Sequence, residues 1–220
     1  MSRHMDVKIC GLTSIEDARV ALDAGADFLG FVLYAKSPRA VTARRLRQIA
    51  DALPSGARAV AVFVNARRRA VETIARDSRL YAVQIHGDEE AGEFDGMPVP
   101  VWRAVRFGAG SWAPAPAAWL AARYVVDAAA PGRYGGSGAT ADWTAAGGFA
   151  RKYPVMLAGG LTPGNVLAAI RAVRPLGVDA ASGVEAAPGK KDAAKVAAFV
   201  NAARAIERAR ERDSEAGTLG

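Results

Sequence analysis

The chain has 220 residues, 51% of them hydrophobic, enough to bury the core of one sizeable domain. Its net charge of +7 suits either a nucleic-acid partner or a small anionic substrate. A single cysteine and two histidines exclude an intramolecular disulfide and argue against a structural zinc site. No apolar run approaches the roughly 18 residues of a membrane span. The first five residues lack the apolar core of a signal peptide. A cytoplasmic protein with no membrane partner is the expectation. The arginines, such as Arg44, Arg45, Arg47, Arg204 and Arg208, are scattered through helix-like segments with acids nearby. They read as solvated helix faces, with no nucleic acid as partner.

In chain order, short apolar runs recur at 7–10, 28–33, 59–64, 82–85, 99–105, 124–127, 155–158 and 178–181. Each is brief and rich in Val, Ile, Leu or Phe, as strands buried on both faces are. Helix-like stretches separate them at 14–24, 42–53, 67–77, 88–94, 111–122, 142–152 and 163–174, and a last one follows at 192–212. Thr13 and Ser14 followed by Glu16 and Asp17 mark a helix start. Thr162-Pro163 places proline at a first helical position, and Ala24-Gly25 reads as a helix end.

Strict alternation of eight strands with eight helices calls for a parallel sheet, and in this length for a closed (β/α)8 TIM barrel. An open doubly wound sheet is the competitor. No linker divides the chain. The expectation is one domain over residues 1–220, with 1–5 and about 211–220 as flexible termini.

Active sites of such barrels lie beyond the C-terminal ends of the strands. Polar and glycine-rich residues gather at that rim here. They include Cys10, Arg39, His86, Asp127, Gly136 and Gly138, Gly159 and Gly160, and Ser182 and Gly183. Bare amides in glycine loops bind anions, and the loops after strands seven and eight are the usual phosphate position. Alternation places Lys8 on the same face as Cys10. Inside the barrel, Lys8 would favour the thiolate, or would instead be neutralised by Asp179. A partly desolvated Asp127 could hold a proton near neutral pH and serve as an acid. The planar fork of Arg39 suits a substrate carboxylate. His86 either contacts ligand or caps the next helix.

These residues also form a familiar set. Lys8-Ile-Cys-Gly-Leu-Thr13, Gly30-Phe-Val-Leu-Tyr-Ala-Lys-Ser-Pro-Arg39, Ala61-Val-Phe-Val-Asn65 and Val83-Gln-Ile-His-Gly87 belong to it. So do Asp127, Gly135-Gly-Ser-Gly138, Asp142-Trp143, Leu157-Ala-Gly-Gly-Leu-Thr-Pro163, Ser182-Gly-Val-Glu185 and Pro188-Gly-Lys-Lys-Asp192. Together they resemble the phosphoribosylanthranilate isomerases of tryptophan biosynthesis, in order and at matching spacing over about residues 6 to 205. The resemblance implies an Amadori rearrangement of a small phosphorylated substrate with no cofactor and no metal. It implies Cys10 as general base, Asp127 as general acid and Arg39 on the anthranilate carboxylate. Lys8, His86, Gly136, Gly138 and Asp179 are expected at the substrate, and Gly159, Gly160, Ser182 and Gly183 at its phosphate. Monomer and homodimer both stay open. The sister isomerases of histidine biosynthesis use an aspartate where Cys10 stands. Three departures from the family pattern, Ala35, Ala141 and the Ala180-Ala181 pair, leave the acid and base untouched.

Overall fold

A computed structural model describes residues 4–128 and 140–216. Eight parallel strands form the barrel: β1 (Asp6–Ile9), β2 (Phe28–Val32), β3 (Ala59–Phe63), β4 (Ala82–Ile85), β5 (Val101–Gly108), β6 (Arg123–Asp127), β7 (Val155–Leu157) and β8 (Gly177–Ala180). Each pairs with its sequence neighbour; β1 also pairs with β8, and that contact closes the ring. The eight expected strands are all present, and the sheet is closed rather than open.

Among the described residues six α-helices flank it: α1 (Ile15–Asp23), α2 (Ala43–Asp51), α3 (Arg68–Asp77), α4 (Trp143–Ala150), α5 (Val166–Val173) and α6 (Ala193–Ala216). Ser14, Thr42 and Asp142 cap the first, second and fourth by accepting the amides of Asp17, Arg45 and Ala145.

Two expected helices are absent. After β4, residues 88–96 form turns instead. The guanidinium of Arg103 donates to the carbonyls of Ile85 and Gly87, and Glu89 accepts the amide of Asn65. Arg103 thus fixes the chain just before the segment, and Glu89 ties the segment to the loop after β3. After β5, Ser111–Ala113 folds back as a strand antiparallel to β5. Pro114 and Pro116 then break any helix, leaving one 3₁₀ turn at Pro116–Ala118. The start of α5 also lies later than expected. Pro163 stands in a turn, and Asn165 Oδ1 accepts the amide of Thr162 before the helix begins at Val166. At the N-terminus, Met5 is buried, although a flexible end is expected there. Its carbonyl accepts from Arg204, which also grips Asp27 at 2.8 Å. Helix α6 runs on to Ala216, past the expected fraying point.

The core has two parts, as strand alternation dictates. Residues facing outward from the strands pack against the helices. Those facing inward form a smaller cluster of Phe28, Val60, Ala82, Trp102, Ala104, Val125, Met156 and Ala158. At the N-terminal end this interior is plugged. Arg123 donates to Asp6 at 2.6 Å and lies 5.1 Å from the ring centroids of both Phe28 and Trp102.

Lys8, Phe28 and Asp179 share one register level, and Gly30 stands one interior position above Phe28, beside Cys10. A Cβ at Gly30 would lie 2.6 Å from Cys10 Sγ and 2.8 Å from Cys10 Cα. Gly30→Ala is therefore expected to destabilise the barrel by about 1–3 kcal/mol through overpacking, read as a lowered urea midpoint at unchanged slope.

Candidate active site

Cys10 follows directly on β1, and Asp127 is the last residue of β6. Both are buried at the C-terminal rim. Around the ring, β1 and β6 are separated only by β8 and β7, so both groups border one mouth.

Below the thiol lies a buried ion pair. Lys8 Nζ donates to Asp179 Oδ2 at 2.7 Å, and the lysine side chain has no exposed surface. Lys8 is thus buried against Asp179, directly below the thiol. Of the two roles expected of Lys8, pairing with Asp179 is the one present. Burial pushes the Cys10 thiol up from its ordinary value. Lys8 pulls it down, but the Asp179 carboxylate opposes that pull. The resting cysteine is the thiol, not the thiolate.

Asp127 departs in the opposite sense. Burial alone would raise its carboxyl. The neighbouring His86, the Ala128 amide and the charge of Arg106 outweigh burial and hold it below the usual carboxylate range. Ala128 N–H donates to Oδ1 at 2.8 Å, and His86 Nε2 stands 3.4 Å from Oδ2. Gln84 fixes the ring. Its side-chain amide lies 2.9 Å from His86 Nδ1. His86 caps no helix, since residues 87–96 hold none; its buried imidazole stands beside Asp127.

The glycine loops meet at the same rim. Gly159 has φ +80°, and a Cβ there would lie 2.8 Å from the Ala128 amide and 3.2 Å from Asp127 Oδ1. A Cβ at Gly183 would collide with the carbonyl of Leu161, so the loops after β7 and β8 touch. Among the described residues, the amides of Gly159, Gly160, Ser182 and Gly183 have no protein acceptor. Gly136 and Gly138 lie outside the described residues.

Arg39 arrives from the loop after β2 and is already engaged. Its Nε and Nη2 donate to the two oxygens of Glu185 at 2.8 and 2.7 Å. One edge of its planar fork is thus taken by Glu185. Glu185, Lys191 and Gln84 are site residues that sequence reasoning did not single out. For Gln84 the signal was available, because it lies two residues before His86 on the same strand face.

A family model described as N-(5′-phosphoribosyl)anthranilate (PRA) isomerase matches residues 7–202. The chain belongs to that family. An N-(5′-phosphoribosyl)anthranilate isomerase of Pseudomonas fluorescens is 47% identical over 199 residues, covering 90% of this chain and 97% of the relative. The crystal structure of phosphoribosyl anthranilate isomerase from Thermus thermophilus superposes with a TM-score of 0.81 at 35% identity. It covers 92% of this chain and 100% of the other. A further phosphoribosyl anthranilate isomerase structure holds reduced 1-(o-carboxyphenylamino)-1-deoxyribulose 5-phosphate. It is similar at TM-score 0.78 and 32% identity, over 92% of this chain and 100% of that one.

In this member of the PRA isomerase family the depressed carboxyls of Asp127 and Glu185 give a clear pH signature. Groups with lowered folded-state values add stability that is complete above the ordinary carboxylate range and is lost as pH falls through the depressed values. Urea unfolding should therefore show stability falling below about pH 4. Asp127→Asn should flatten part of that slope.

Proposed function

We propose that the chain isomerises N-(5-phosphoribosyl)anthranilate to 1-(2-carboxyphenylamino)-1-deoxyribulose 5-phosphate, the Amadori step of tryptophan biosynthesis. The observation that carries this reading is one barrel mouth bordered by a buried thiol, a buried carboxylate and two touching glycine loops with open amides. Membership of the PRA isomerase family, and the similar structure that holds the reduced product analogue, support it.

The amides of Gly159, Gly160, Ser182 and Gly183 take the phosphate, and Arg39 takes the anthranilate carboxylate. The ribose then spans the mouth between Asp127 and Cys10. Asp127 gives its proton to the furanose oxygen as the C1′–O bond breaks, and the anilino nitrogen supplies the electrons for an iminium. Cys10 thiolate removes the C2′ proton; the C–H electrons form the C1′=C2′ bond and the iminium π pair returns to nitrogen, giving an enolamine. That enolamine ketonises by moving its hydroxyl proton to C1′. No electrons are gained or lost overall, so no cofactor is required.

In the resting site the protons sit the other way round, on Cys10 and off Asp127. Chemistry runs through the minority form in which the pair has exchanged its proton. The bound phosphate and carboxylate, both anions, favour protonation of Asp127.

Loss of the anthranilate substrate, followed by fluorescence, tests the assignment. Cys10→Ala and Asp127→Asn should each lower kcat by roughly 10²–10⁴-fold with the fold intact by circular dichroism. A Cys10→Ala variant with near-wild-type turnover would remove the base from the scheme. The reversed protonation gives a second check. Plotted against pH, kcat/KM should be a broad plateau that falls on the acid side below the carboxylate range and on the alkaline side above the ordinary thiol value. A non-catalytic binder on the same barrel would retain the substrate without consuming it.

A further inference from the structure

Arg39 is held by more than one contact. Its guanidinium is bound along one edge by both oxygens of Glu185. Glu185 sits at the start of a two-stranded hairpin, Glu185–Ala187 with Lys190–Lys191, that follows β8. Three further donors steady it. Lys191 Nζ and the Gly189 amide reach Oε1 at 3.0 and 3.3 Å, and Lys195 Nζ reaches the Glu185 carbonyl at 2.9 Å. The hairpin is itself tied to the loop after β1, where Thr13 Oγ1 donates to the Gly189 carbonyl at 2.7 Å. The stem of Arg39 crosses Gly11, the residue after Cys10, where a Cβ would lie 2.5 Å from Arg39 Cδ.

Two consequences follow. A guanidinium has five N–H groups in a rigid fork. Glu185 takes one from Nε and one from Nη2, and among the described residues no protein group accepts from Nη1. The end edge, Nη1 with the second hydrogen of Nη2, keeps a complete bidentate geometry for another carboxylate. The charges also do not balance. Arg39 and Lys191 share the single carboxylate of Glu185, and all three are buried. One positive charge is left over in a place sheltered from water, which suits one further monoanion.

We propose that Glu185 is the positioning residue that aims Arg39 at the carboxylate of the substrate. It locks one edge of the guanidinium so that the other edge meets the anthranilate ring's carboxylate without first being ordered. This role rests on the isomerase reading of the site.

Steady-state kinetics of the full chain test it, on the anthranilate substrate and on the same phosphoribosylamine built on aniline, which has no carboxylate. Glu185→Gln should raise KM for the anthranilate substrate about tenfold, because a misaimed clamp loses binding geometry. Its kcat should stay within about twofold, and its KM for the aniline compound should not move. In an Arg39→Ala background, Glu185→Gln should add nothing further. Glu185→Asp retains the charge on a shorter arm. It should give the same pattern at smaller size, and it decides the matter if the glutamine variant fails to fold. An unchanged or lowered KM for the anthranilate substrate overturns the proposal, as does an equal rise for both compounds or a full effect persisting without Arg39. Wild-type turnover is measured first. Its absence overturns the isomerase reading, whereas normal wild-type turnover with a flat Glu185 series overturns only the role of Glu185.

Discussion

Closure of the ring through the β1–β8 pairing is the constraint on which everything else in the molecule rests. Once eight parallel strands close, every second side chain points at the axis and every strand ends at the same rim. Lys8 and Cys10 on the first strand, Gln84 and His86 on the fourth, Asp127 on the sixth and Asp179 on the eighth become neighbours for that reason alone. None of these groups is close in sequence to all the others. A slip of one residue in any strand would turn its polar pair into the helix layer, where the packing is apolar.

The interior is graded from bottom to top. Phe28 and Trp102, fully buried near the base, each contribute about 1.5–3 kcal/mol of apolar burial. Level with Phe28 stands the Lys8–Asp179 pair. Such a pair adds little over an apolar replacement, but loss of either partner would leave an isolated buried charge costing about 3–5 kcal/mol. Above that again, the thiol and the Asp127 carboxylate share a mouth sheltered from water. Burial drives the thiol toward its neutral form, while His86, the Ala128 amide and the charge of Arg106 hold the carboxylate ionised. The same barrel end thus holds two groups whose proton affinities are pulled far apart, the condition under which one proton passing between them changes the chemistry available.

Much of this was legible from residue order. The strands announce themselves as short Val- and Ile-rich runs, and the placement of Lys8 beside Cys10 follows from a period of two. The capping residues Ser14, Thr42 and Asp142 do what their hydroxyls and carboxylate favour locally. What could not be read came from contacts distant in sequence. The segment after β4 is pinned from outside instead, since Arg103, some fifteen residues later, binds the carbonyls of Ile85 and Gly87 just before it and Glu89 within it takes the Asn65 amide. The segment after β5 carries its own warning in Pro114 and Pro116, which the apolar pattern around them masked. Glu185 looks like an ordinary loop acid until the hairpin carries it back to a residue 146 positions away. The protonation states of Cys10 and Asp127 were likewise out of reach. They depend on the balance between burial and neighbours from four different strands.

The Arg123 plug at the foot of the barrel has a bearing on traffic. With Asp6, Phe28, Trp102 and Met156 gathered round that guanidinium, the interior is a cup and not a tube. A ligand that enters at the catalytic rim must leave by the same opening. Arrival and departure are therefore mutually exclusive events at one doorway, and a molecule lingering there after reaction bars the next from entering.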